Sequence, residues 1–324
     1  MKTKGIAILL LISIGGICGF AQIPEKKSFK YELGVRSDND AYLAVGQDKY
    51  YTNGLFITFR KAMDQRALSP KLNKRLWEIE LGQEIFNPQS GYISSPVYID
   101  RPFAGYLYAG GSLVWLYNSE NTLKTSLQIG TIGPSSLADR AQTLLHRMMG
   151  FYEIKGWQYQ INNEFSVNTT VEYNHFLLRS LSKSTDFTWA SYLNIGNTFT
   201  GIGTGLLFRW GTINSLYYSV STTSRIANHA KEKDTSSNEE FFFYAKPMMH
   251  FRAYDATVEG GLFARDKGPI VFDIKPIVIS GELGAAYAKN RWTATFSVIF
   301  KSKEIKSFVK PDQYGSIAIC YRFN

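Results

Sequence analysis

The chain has 324 residues, 44% hydrophobic and 15% aromatic, with 36 Lys and Arg against 27 Asp and Glu for a formal charge of +9. The basic excess suits an anionic surface, either nucleic acid or acidic lipid. Two cysteines are too few for a disulfide framework, and the length allows one large β domain or two ordinary ones.

Residues 1–21 form the first element. Lys2 and Lys4 precede the apolar run GIAILLLISIGGICGF, and Gly19-Phe20-Ala21 places small residues at −3 and −1 before Gln22. This is the pattern of a secretory signal peptide, too short for a membrane anchor. Gly15-Gly16-Ile17 before Cys18 is not the residue set that precedes a lipidated cysteine. The expected mature chain, Gln22–Asn324, keeps one cysteine, Cys320, and a formal charge of +7. Export argues against nucleic acid as the partner. No later apolar run approaches the ~20 residues of a membrane helix.

The first strand is expected near 28–36, where Phe29, Tyr31, Leu33 and Val35 alternate with Lys30, Glu32 and Gly34. It runs into RSDNDAYLAVGQDKYYTNG, a polar stretch holding Asp38, Asn39, Asp40 and Asp48. Asp38 and Asp48 read as turn or solubility residues, Asn53-Gly54 as a turn signal, and Tyr51 as an interfacial aromatic. Further strands are expected near 54–61, 77–85, 106–117 and 124–132.

GPSSLADRAQTLLHRMMG breaks the strand rhythm. Ser136 reads as an N-cap and Gly150 as a stop, giving one short helix. Asp139, Gln142 and His146 share one stripe of it, so Gln142, one turn earlier, is placed to hold the His146 imidazole. Of the other histidines, His175 and His250 fall in strand patterns and His229 in a polar loop. The amide-rich GWQYQINNE (Gly156–Glu164) reads equally as a lumen-facing strand start or a substrate-contacting rim.

Alternating segments continue near 158–164, 169–180, 186–196, 199–210 and 215–222, then after the polar linker Asn228–Glu240 near 241–254, 255–264, 275–288, 291–301 and 315–323. Many amphipathic strands, a signal peptide and an aromatic-rich closing strand point to an all-β, antiparallel transmembrane β-barrel of about 12 strands with one short helix at its mouth. The alternative is a soluble secreted β-sandwich. Residues 22–324 then form one barrel domain in the bacterial outer membrane, expected to be a monomer.

SDND followed by DKYYTNG, then DRPFAGYLYAG, then IGP…AQTLLH…GWQYQINNE resembles the lipid A 3′-O-deacylases, outer-membrane barrels of the LpxR type. The resemblance covers roughly residues 28–175. It implies a twelve-stranded barrel and a calcium-dependent hydrolase that removes the 3′-linked acyl group of lipid A. It places the family's paired Asn and Asp on Asn39 and Asp40, its hydroxyl residue on Thr52, its glutamine on Gln142 and its histidine on His146. A functional lysine follows the third strand in the family; here Asn87–Asp100 holds no Lys or Arg, and Arg101 is the first basic residue able to take its place on the substrate. Under this reading His146 is the general base for water. Asn39 and Asp40 supply the oxygen ligands that Ca²⁺ prefers, and the ion polarises the ester carbonyl. The polar stretch is expected to face His146 across the barrel mouth. No G-x-S-x-G occurs, so a serine elbow is unsupported. A phospholipid esterase on the same scaffold and a non-catalytic pore or scaffold are the competing readings.

Overall fold

A computed structural model describes residues 29–43, 48–64, 68–223, 225–228 and 237–324. The signal segment and His229 lie outside the described residues. Twelve strands are present: β1 (Tyr31–Asn39), β2 (Tyr50–Ala62), β3 (Leu72–Asn87), β4 (Ala104–Tyr117), β5 (Thr122–Ile132), β6 (Glu164–Arg179), β7 (Thr185–Gly196), β8 (Phe199–Thr212), β9 (Glu239–Asp255), β10 (Ile277–Lys289), β11 (Trp292–Lys301) and β12 (Asp312–Phe323). Each pairs antiparallel with its sequence neighbours, and β1 pairs with β12, closing the barrel.

The period-2 pattern decides which face each residue takes, with the opposite outcome to a water-soluble sheet. Leu81 is 54% exposed on the outside, while Glu78, on the inward face of the same strand, is 3% exposed. Leu33, Val35, Leu55, Ile57, Ile79, Leu127 and Ile129 extend the exposed apolar outside. Charges fill the interior. Arg60 bonds Glu78 and lies 2.9 Å from Glu32, and Lys124 lies 3.0 Å from Glu78. Apolar-out and ion-paired-in is the arrangement that lipid selects. An aromatic cluster (Tyr31, Phe59, Trp77, Phe323) marks one rim of the apolar band.

The two ends differ. One carries the connections 40–49, 88–103, 133–163, 256–276 and 302–311 and the turn 197–198; the other carries the chain ends and connections of nine residues or fewer, with one exception. The exception, between β8 and β9, was expected to hold a strand at 215–222. Instead it forms two 3-10 turns, Leu216–Tyr218 and Val220–Thr222. Local hydrogen bonds replace a ladder there, with Ser221 N donating to Ser219 Oγ at 3.2 Å. Val220 packs on Phe242, Ala286 and Ala288 of β9 and β10, whereas Ile226 packs on Leu76, Val114 and Leu116 of β3 and β4. β3 and β9 are six strands apart around the ring, hence opposite. The connector therefore crosses the lumen.

Two other expected strands are absent. Residues 158–164 remain loop, with one 3-10 turn at Trp157–Tyr159, until β6 begins. Within 255–264, Ala256–Glu259 is a one-turn helix, α2, because the Asp255 carboxylate caps it by accepting from Thr257 N at 2.8 Å. The predicted helix is present as α1 (Ala138–Met149), with Gly150 as its left-handed stop. Its N-cap is Leu137 rather than Ser136, whose hydroxyl is spent on Gly133 O at 2.6 Å.

Candidate active site

α1 does not span the mouth. It lies on the outer wall of β3 and β4. Gln83, on the outward face of β3, donates to Ser136 O at 2.7 Å. A Cβ at Gly105 of β4 would sit 2.3 Å from Ala138 Cβ, so only glycine lets the helix approach this closely. Ile85 and Ala138 share an apolar cluster with Ile93, Ile99, Phe103 and Trp157. The amphipathic pattern of α1 could not say whether it covers the lumen or the wall; Gly105 decides for the wall.

The opposing half comes from the β1–β2 connection. Asn39 ends β1 on its outward face, and Asp40 opens a 3-10 turn, Asp40–Leu43. β2 starts irregularly, with Tyr50 at φ 60° and a bulge between Tyr51 and Asn53. A bulge re-aims a side chain. Tyr51 turns into the lumen, where its hydroxyl bonds Asp38 at 2.8 Å, and Thr52 turns to the outer site. Tyr51 is thus a buried lumen residue rather than an interfacial one.

Thr52 Oγ1 lies 3.2 Å from Asp48 Oδ1 and 3.4 Å from Asp40 Oδ2. Asp48 Oδ1 also lies 3.3 Å from His146 Nε2, and the Tyr152 hydroxyl donates to Asp48 Oδ2. On its other side His146 Nδ1 is 2.8 Å from Tyr152 O. A carbonyl only accepts, so Nδ1 carries a proton and Nε2 is the nitrogen free to take one. Burial lowers the His146 pKa, but the Asp48 hydrogen bond and the Tyr152 carbonyl outweigh it and the net shift is upward. Burial pushes Asp48 up, and its bonds from His146 and Tyr152 bring it below its ordinary value.

Asp40 behaves differently. It is 3% exposed and accepts from Lys49 N at 2.9 Å. Burial, reinforced by Asp48 and Asp312, raises it to about 8. Among the described residues no Lys or Arg side chain pairs with Asp40, and the second carboxylate nearby makes a bound cation a fit for it. The nearby donors are oxygens: Asp40, the Asn39 amide, whose Oδ1 accepts from Ala41 N at 2.6 Å, and Thr52. Among the described residues no group of three or more His, Cys, Asp or Glu surrounds one point, so such an ion would rely on amide, main-chain and water oxygens.

The structure thus gathers Asn39, Asp40, Thr52 and His146, and separates two other expected residues from their expected roles. Gln142 does not hold the imidazole; its Oε1 accepts from Trp157 Nε1 at 3.0 Å. Arg101 turns into the lumen, where it donates to Thr257 Oγ1 at 2.9 Å and stacks 4.2 Å from the Phe86 ring. It helps line a lumen cavity of about 380 Å³ that includes neither Asp40 nor His146. The sequence pattern did not place Asp48 or Tyr152 beside His146. Asp48 opens DKYYTNG, which was its signal; nothing in the sequence near Tyr152 marked it.

The sequence model of the family described as Outer membrane protein LpxR matches residues 6–323. Among solved structures, LpxR from Salmonella typhimurium aligns with a TM-score of 0.68 at 20% identity, over 90% of this chain and 100% of that chain. The β domain of the Bordetella autotransporter BrkA aligns at TM-score 0.45 and 9% identity, over 91% of this chain and 100% of that one. The KdgM porin aligns at TM-score 0.36 and 7% identity, over 90% and 99%. No curated protein matches.

Proposed function

The chain belongs to the LpxR family of outer-membrane proteins, and from that premise we propose that it is a calcium-dependent esterase that removes the 3′-linked acyl group of lipid A. One observation carries the reading: the Asp40–Thr52–Asp48–His146 group lies on the outside of the barrel wall, under α1, the side from which a membrane lipid would approach.

His146 Nε2 takes a proton from water as the water oxygen attacks the ester carbonyl carbon. Asp48 steadies the imidazolium that forms, and the Tyr152 carbonyl fixes the tautomer and the ring plane. With His146 neutral and Nδ1 protonated, Nε2 carries no proton for Asp48, and its lone pair is left to accept one from water. Asp40 and Asn39 would hold Ca²⁺, and Thr52 steadies the two carboxylates. Bound Ca²⁺ supplies Lewis-acid polarisation of the ester carbonyl. The lumen position of Arg101 removes it from substrate binding under this reading.

The test is to incubate the purified protein in detergent with lipid A, and separately with phospholipid, with and without a calcium chelator. Deacylated lipid A alone, lost on chelation while the barrel stays folded, is expected. Hydrolysis of phospholipid only would transfer the scaffold to the competing esterase reading, and full activity in excess chelator would remove the metal.

A further inference from the structure

Asn87, the last residue of β3, is fully buried, and neither its Nδ2 nor its Oδ1 has a hydrogen-bond partner. Burying both ends of an amide unpaired forfeits their hydration with no return. Such a pair persists where a water, an ion or a ligand completes it.

The position of Asn87 says which ligand. It continues the outward face of β3 that carries Gln83 and Ile85 against α1. It pairs across the ladder with Tyr50, whose N donates to Pro88 O at 3.2 Å and whose neighbour Lys49 donates to Asp40. On the other side stands Gly91. A Cβ there would lie 3.4 Å from Asn87 Nδ2 and 2.8 Å from the Tyr152 hydroxyl, so a side chain at 91 would fill the gap between them. Asn87 therefore sits where the carboxylate half and the histidine half of the site meet.

We propose that Asn87 is a catalytic residue whose Nδ2–H donates to the ester oxygen of the substrate as it gains charge; this rests on the esterase reading above. When the water oxygen bonds the carbonyl carbon, the water proton passes to His146 Nε2 and the carbonyl π pair moves onto the oxygen, to which Asn87 Nδ2–H donates a hydrogen bond. Collapse re-forms the carbonyl and breaks the carbon–oxygen bond to the sugar, whose oxygen takes the proton back from Nε2. The Asn87 amide is uncharged and held by the wall, so it needs little reorganisation.

The experiment compares wild type, Asn87→Leu and Asn87→Asp. Each is tested for lipid A hydrolysis and for unfolding temperature in calcium-free detergent. Asn87→Leu keeps the branched outline and removes both orphaned groups, so it should unfold no lower than wild type. Its kcat should fall by the ~10²–10³-fold typical of a lost oxyanion donor, with KM little changed. Asn87→Asp keeps the shape and an acceptor but loses the donor, and should be equally impaired. Wild-type kcat in either variant, or a loss that only tracks the unfolded fraction, would overturn the assignment. Wild-type protein that leaves lipid A intact would instead overturn the esterase reading beneath it.

Discussion

Asp48 holds His146 from one side and the Tyr152 carbonyl holds it from the other, so the imidazole titrates as part of a pair. Under the proposed role of general base, its raised pKa has a direct consequence for rate. A general base must be neutral, so turnover should fall as pH drops through a value above the ordinary ~6.5 of histidine. Asp48→Asn removes the charge that raises that pKa, so the acid limb of the pH–rate profile should move to lower pH while the maximal rate falls. A limb that stays in place would separate Asp48 from the base. His146→Ala should lose ~10²–10⁴-fold in rate with the fold intact, since positioned proton transfer supplies about that much. Asp40 and His146 were legible through motifs the chain shares with a family. Asp48 was read as a turn residue because a lone aspartate before two tyrosines carries no chemistry until His146, 98 positions on, is folded against it. Tyr152 holds the imidazole through its main-chain carbonyl, which no side-chain pattern announces.

At the scale of elements, the strands were readable because one face meets lipid and the other meets charge, which imposes strict alternation on most of them. The misread segments, 158–164, 215–222 and 255–264, alternate over short runs but satisfy their backbone locally, through 3-10 turns and an Asp255 cap. The placement of α1 depended on a residue outside the helix. Gly105→Val should push Ser136 and Ala138 off the wall, because a Cβ there already meets both within 2.3 Å. Displacement of about 1 Å at a catalytic group can lower rate ~10²-fold, so the variant should keep its barrel and lose most activity. Normal turnover in a folded Gly105→Val protein would detach α1 from the site. Inside the wall, Arg60 serves both Glu32 and Glu78. Arg60→Ala leaves Glu78 to Lys124 and Glu32 to Arg322 alone, and should destabilise the barrel by ~1–3 kcal/mol, read from its unfolding in denaturant.

The whole molecule is a closed barrel whose catalytic candidates stand outside the wall and whose lumen is crossed by the β8–β9 connector. Arg209, bonded to Asp186 at 2.6 Å and to Ser219 at 2.6 Å, and Glu240, accepting from Ser219 at 2.6 Å, pin that connector to the wall. The purified protein should therefore show no steady conductance in a planar bilayer, where an open pore of this strand number would conduct. Large, stable conductance would favour the passive-channel reading. A barrel whose histidine–carboxylate pair lies outside the wall fits the proposed reading, in which the substrate is a lipid met in the plane of the membrane. The most direct measurement is mass spectrometry of lipid A from cells expressing the wild-type chain or His146→Ala at equal levels in the outer membrane. Lipid A lighter by the 3′-linked acyl group with the wild type, and intact with His146→Ala, is the predicted result; intact lipid A in both, or the same loss in both, would contradict it.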